Sequence, residues 1–276
     1  MTTKLNLSAL MLLLAYTALS AHNVPLHVSN RWKECSFQLD PSLTQKEWHE
    51  FTQEAGMVAC YRPLVSAKAL GVGRFEVSLL QWKTGIDETK GAWNNTFVHP
   101  DEEHYLVGGE ELPFPGLQAR VGLTKKIDAG VYWSMRPGAN YGFIGGQLQY
   151  NFLQAEKHHL DVSSRLGFNK LYGPEDLNFT IYSVDLLASK KINLYKNWLS
   201  ISPYIGGSAY LSNAHEKTSR VNLKDENIIG SQILLGAVVG ISNFTMACEY
   251  NKANVNSLSI KMGYTIKLWK PKSYTN

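Results

Sequence analysis

From Leu258 to Leu268 every second position is apolar (Leu258, Ile260, Met262, Tyr264, Ile266, Leu268). The positions between, Ser257, Ser259, Lys261, Gly263, Thr265 and Lys267, are polar or small. A period of two predicts a strand with one apolar and one polar face. At roughly a dozen residues it is about twice the usual strand length of five or six. The beat recurs. In 144–152, Ile144, Leu148, Tyr150 and Phe152 oppose Gln147, Gln149 and Asn151; in 159–169, Leu160, Val162, Leu166 and Phe168 oppose His159, Asp161, Ser163, Arg165 and Asn169. Segment 179–190 sets Tyr182, Val184, Leu186 and Ala188 against Ser183, Asp185 and Ser189, with Leu187 interrupting the polar set. Segment 199–211 sets Ile201, Ile205, Ala209 and Leu211 against Ser202, Tyr204, Ser208 and Tyr210; 241–251 sets Phe244, Met246, Cys248 and Tyr250 against Asn243, Thr245, Glu249 and Asn251. Shorter versions lie at 73–82, 116–124 and 128–136, and a more apolar one at 230–240.

These segments predict an all-β chain of about ten strands, each long enough to cross a bilayer at a tilt. The polar faces carry charge: Arg74, Glu76, Arg120, Asp161, Arg165, Asp185, Glu249 and Lys261. Such groups are costly in the dry core of a sandwich. In a hydrated or hydrogen-bonded lumen they are tolerable, the apolar faces then meet lipid, and closure removes the open edges that a membrane excludes. The expected fold is therefore an antiparallel transmembrane β-barrel of about ten strands, or twelve if the N-terminal region adds two. Connection lengths agree. With the first strand running outward, the two longest connections, 83–115 and 212–229, fall on the same, outer side, and ten strands return both barrel ends to the inner side. Tyr132, Trp133, Tyr141, Phe143, Tyr172, Trp198, Tyr210, Tyr264 and Trp269 lie mostly near strand ends, where interfacial aromatic girdles form.

The N-terminal region follows other rules. Lys4, the apolar run ALMLLLAYTAL and Ala18-Leu19-Ser20 form a positive, apolar and small-x-small series, which reads as a signal peptide over 1–21 and implies export. Within 22–72, Leu43, Trp48, Phe51 and Ala55 recur at helical spacing behind Thr44 and Glu47, a capping box. A short helix is expected there, then a brief strand at 57–61. This segment could plug the lumen, lie in the periplasm, or supply the two extra strands. The barrel proper would occupy 73–269 and a tail 270–276.

A net charge of +4 without a basic run argues against nucleic acid. No cofactor is expected. Of three cysteines, Cys35 and Cys60 both precede the alternating region and could join in an oxidising compartment; no Cys or His spacing suggests a metal site. Adjacent strand residues face opposite ways, so His158 and His159 with Asp161 do not make one metal site. Gly71-x-Gly73 and Gly145-Gly146 lack the strand-to-helix context of a phosphate cradle. A barrel protease of the omptin kind would need Asp and His at the outer rim, for which Asp87, Asp101, His104, His215 and Asp225 are the candidates, all in long loops. A barrel lipase would need a Ser and a His on the outer face, and Ser212 with His215 is the available pair. Neither set has a catalytic spacing, and the chain is not expected to be an enzyme.

Lys261, Gly263, Ile266 and Leu268 resemble the last-strand signal of Gram-negative outer-membrane proteins: polar, x, Gly, x, x, apolar, x, apolar. That resemblance implies recognition by the barrel-assembly machinery, although Lys270 to Asn276 follow where many members end on an aromatic residue. The runs FTQEAGMVACYRPLVSAKALGVGRFEVSLL, LPFPGLQARVGLTKKIDAGVYWS and PYIGGSAYLS resemble a set of uncharacterised exported proteobacterial proteins with an N-terminal helix before a barrel. This implies location in the cell outer membrane, with its lipid and lipopolysaccharide as partners. The expected function is a narrow channel or transporter lined by the eight charged residues above. A non-conducting surface protein binding a partner or lipopolysaccharide through 83–115 and 212–229 is the alternative, and an outer-membrane hydrolase the third.

Overall fold

The structure is a computed structural model that describes residues 36–87, 89–98, 111–135, 141–195, 198–218 and 221–268. A two-residue pairing joins β1 (Ser36–Phe37) to β3 (Phe97–Val98). The rest of the strand structure is a single antiparallel sheet. It comprises β2 (Arg74–Gly85), β4 (Glu111–Gly122), β5 (Ile127–Met135), β6 (Gly142–Leu153), β7 (Asp161–Tyr172), β8 (Leu177–Ser189), β9 (Ile192–Tyr195), β10 (Leu199–Glu216), β11 (Glu226–Ile241), β12 (Phe244–Lys252) and β13 (Asn256–Lys267). Pairing of β13 with β2 and of β10 with β11 closes the ring, so the chain forms a ten-strand barrel.

The short β9 is not an eleventh stave. Tyr204 of β10 faces Ser189 of β8, and Ile201 faces Ile192 of β9, an unchanged offset, so β9 continues β8 beyond Lys190-Lys191 along the same neighbour. That strand fills part of the expected 191–198 connection. The expected 212–229 connection shrinks to 217–225, because β10 runs on through Glu216 and Ala214 already pairs with Glu226. The 86–110 and 217–225 connections share one end, the long-loop end, with 173–176 and 253–255; 123–126, 242–243 and the turn bearing the one-turn helix Ala155–His158 mark the short-turn end.

The alternation sorts the faces as expected. Leu79, Val131, Leu166, Val184, Ile205, Ile233, Leu258 and Met262 point outward and are exposed, while Glu76, Gln118, Gln149, Asp185, Glu249 and Lys261 point inward and are buried. Exposed apolar side chains on this scale form a belt suited to lipid rather than water. The lumen, however, is not polar throughout. Toward the long-loop end Tyr132, Phe143, Leu171, Leu177, Phe179 and Ile181 face inward and are buried in one apolar cluster with the inner face of an amphipathic helix and with Tyr61.

That helix, α1 (Gln45–Val58), begins at the expected capping box: Thr44 Oγ1 accepts from the Glu47 backbone N–H while Glu47 accepts from the Thr44 N–H at 2.8 Å. Trp48 and Phe51 are fully buried and stack with centroids 5.5 Å apart, and the one-turn helix α2 (Gly91–Asn94) brings Trp93 edge-on to Phe51. The expected 57–61 strand is not formed. Val58 ends α1, and the chain continues without strand pairing down the lumen to Gly73.

Candidate functional site

A backbone that crosses a barrel interior without secondary structure must find partners for its N–H and C=O groups. Here polar side chains of the wall supply them. Trp82 of β2 donates to Val58 O at 2.9 Å, Asn169 of β7 to Ala59 O at 2.6 Å, and Gln149 and Asn151 of β6 to Ser66 O and Ala67 O at 3.1 and 2.8 Å. Ser189 of β8 accepts from the Ala67 N–H at 3.0 Å, and the Asp128 carboxylate of β5 accepts from the Leu70 N–H at 2.7 Å. Side chains join in, with Gln118 of β4 donating to Tyr61 Oη and Gln232 of β11 to Cys60 Sγ. The segment 57–70 is thus a plug tied to β2, β4, β5, β6, β7, β8 and β11. In the structure this part of the N-terminal region runs inside the lumen. Ser36, the first described residue, lies at the long-loop end beside β3, so this segment threads the barrel from that end.

Seven of the eight expected lumen charges are nine-tenths or more buried. They sort into four groups. Arg120 faces Glu76 directly across β4 and β2 and approaches it at 3.6 Å and Asp128 at 3.8 Å, while Lys261 Nζ donates to Glu76 at 2.9 Å. Arg165 faces Asp185 directly across β7 and β8 and binds its carboxylate through both Nε and a terminal nitrogen. Glu249 accepts from Tyr204 Oη at 2.8 Å and from Asn251 at 2.9 Å. The Tyr204 contact depends on a glycine: Gly236 lies between the two in register, and a Cβ there would sit 2.4 Å from Tyr204 Cζ. Asp161 is held by Asn151 and the Ala155 N–H.

Arg74 is the exception. It is exposed at the short-turn rim, opposite Lys267, and belongs to no lumen group, because β2 has only begun there. Residues that the pattern passed over complete the site. Asp128 joins the Glu76 group, and Arg62, fully buried, donates to Val58 O and Met57 O and lies 5.5 Å from the centre of the Trp82 ring. Asp128 sits on the inward parity of its strand and was readable there. Arg62 lies outside any periodic segment and gave no signal.

The remaining candidates do not assemble. Ser212 faces the lumen and is fully buried while His215 faces outward, so they form no Ser–His pair; His215 bonds Asp225 at 2.6 Å on the exposed rim. Asp87 caps its own turn through Thr89, and Asp101 and His104 lie outside the described residues. His158 and His159 are exposed, and no cluster of three or more metal-ligating side chains occurs among the described residues. Cys60 is a buried thiol; Cys35, its expected partner, lies outside the described residues, as do 1–21, Trp269 and the tail 270–276. Of the last-strand signal, Lys261 and Gly263 face the lumen, with Gly263 packed against Ser78 and Thr245, while Ile266 and Leu268 face outward.

No family model and no curated protein matches the chain. Solved structures similar to it include Ail, the attachment invasion locus protein of Yersinia pestis (15% identity, 71% of this chain and 99% of that one, TM-score 0.27). LpxR from Salmonella typhimurium (10%, 69% and 99%, 0.37) and the β domain of the Bordetella autotransporter BrkA (9%, 71% and 99%, 0.39) are also among them. All are barrels, and at these scores they bear on nothing finer than that.

Proposed function

We propose that this protein is a plugged, non-conducting barrel of the Gram-negative outer membrane whose long-loop end is its working surface. The observation that carries this reading is the filled lumen. The plug is bonded to seven strands, five of them through its backbone, and its side chains Met57, Val58, Cys60, Tyr61, Arg62 and Leu64 are almost wholly buried. Ion-paired lumen charges support closure rather than conduction, since each is held by a neighbour instead of lining water. The membrane placement rests on the exposed apolar belt and on strands long enough to cross a bilayer. At the long-loop end, α1, α2 and the β1–β3 pair form an aromatic cap, a rigid base from which 86–110 and 217–225 can meet a partner.

Liposome swelling with a small neutral sugar tests the reading. The intact folded chain is expected to swell liposomes no faster than protein-free controls. Swelling at the rate of an open pore inserted at equal density would overturn it and restore the channel.

A further inference from the structure

Register places one apolar row across the outer wall of β6, β7, β8, β10 and β11, a second across β6, β7, β8 and β10 that ends at Ser231 of β11, and a polar row across β7, β8, β10 and β11. Gly146, Phe168, Tyr182, Leu211 and Ile229 are successive cross-strand partners, and Leu148, Leu166, Val184 and Ala209 form the next row toward the short-turn end. Together they line an apolar groove of about 610 Å³. Its depth comes partly from Gly146, where a Cβ would meet nothing nearer than the Gly130 carbonyl at 3.3 Å. The row above it, toward the long loops, changes character after Ile144 of β6: Lys170, Thr180, Asn213 and Asn227 are again successive partners.

We infer that this wall binds a phosphorylated, multiply acylated glycolipid of the long-loop-side leaflet, with acyl chains in the groove and headgroup on the polar row. The inference rests on the membrane placement proposed above. Three features select the occupant. Five strands at about 4.8 Å spacing make the groove roughly 19 Å wide, more than one acyl chain needs. Lys170 is exposed on the polar row, where its ammonium can meet a phosphate. Asn213 donates to Asn227 Oδ1 at 2.7 Å, which leaves an amide oxygen on one and an amide nitrogen on the other. One acceptor and one donor side by side suit sugar hydroxyls, which both give and take hydrogen bonds, better than a phosphate alone.

The test is native mass spectrometry of the full chain in nanodiscs, with the bisphosphorylated hexa-acylated glycolipid or phosphatidylglycerol added as probe. Ala209→Trp fills the groove, Lys170→Gln removes the cation, and Leu79→Trp alters the opposite wall as a control; all three sit on the lipid face. The expected result is glycolipid retention that falls about tenfold in A209W, falls about tenfold in K170Q for the phosphorylated probe but not its dephosphorylated form, and is unchanged in L79W. Equal retention in A209W and L79W, or equal retention of phosphatidylglycerol, overturns the site while leaving the membrane placement intact. Failure of the folded chain to enter nanodiscs overturns both.

Discussion

Gly56 of α1 lies so close to Ser212 of β10 that a Cβ added there would be 1.8 Å from Ser212 Oγ and 2.9 Å from the Tyr210 ring. Glycine inside a helix costs about 1 kcal/mol relative to alanine. Propensity alone therefore says that Gly56→Ala should stabilise the chain. Contact says the reverse, because overpacking costs about 1–3 kcal/mol. The expected outcome is a lower urea midpoint for G56A with partial recovery in G56A combined with Ser212→Gly. A raised midpoint for G56A would show that α1 does not press on β10.

The Arg165–Asp185 pair is buried and directly in register. Removing one member leaves an uncompensated charge, at a cost of about 3–5 kcal/mol, whereas replacing both by apolar residues of similar volume is close to neutral. Arg165→Met should therefore lower the stability of the folded barrel strongly, and R165M with Asp185→Leu should restore most of it. Equal losses in both would assign the pair a role beyond mutual neutralisation.

Glu47 closes the capping box of α1. Hydrogen bonds from the Thr44 backbone and hydroxyl hold its carboxyl below the usual glutamate range. A lowered folded-state value means that the contribution is complete above the unfolded-state pKa and fades as pH falls through the lowered one. Protection of the first-turn amides of α1, taken relative to the intrinsic exchange rate, should accordingly fall below about pH 4 in the wild type. In Glu47→Gln, whose amide oxygen still accepts but does not titrate, that protection should be nearly insensitive to pH over the same window. A wild-type profile flat across the same range would contradict the capping role.

Tyr204→Phe removes the hydroxyl that Glu249 accepts across Gly236 and leaves a buried carboxylate with Asn251 as its remaining donor. The expected cost is about 1–3 kcal/mol in urea unfolding. No measurable change would mean that the Tyr204 hydroxyl is not engaged.

Much of this was legible in the sequence, and the reason is parity. A closed sheet with lipid outside and polar groups inside writes a period of two along every stave, so strand number and the side of each long connection could be read without coordinates, while among the charges Arg74 proved to lie at the rim and Asp128 was passed over. Strand ends were less legible. Asn213, His215 and Asn227 are polar on the outward parity, which reads as loop, yet Asn213 and Asn227 continue the β10–β11 pairing above the apolar belt and His215 continues that of β10 with β8. The plug was harder still. Its residues 57–72 have no period because they pair with side chains rather than strands, and the amides that hold them, Gln118, Gln149, Asn151 and Asn169, look the same whether they face water or backbone. Arg62 and the aromatic lining at Tyr132 and Phe143 are intelligible only once α1 is inside the barrel.

Whether residues 57–70 occupy the lumen is most directly measured by a crosslink between Ala67→Cys and Ser189→Cys, in a chain whose native cysteines are replaced by serine. The Ala67 N–H lies 3.0 Å from Ser189 Oγ. Oxidation of the folded, heat-modifiable barrel is expected to form the disulfide rapidly, without loss of folded mobility. Two thiols that stay unlinked in the folded barrel and react freely with a bulky water-soluble reagent would contradict the plug.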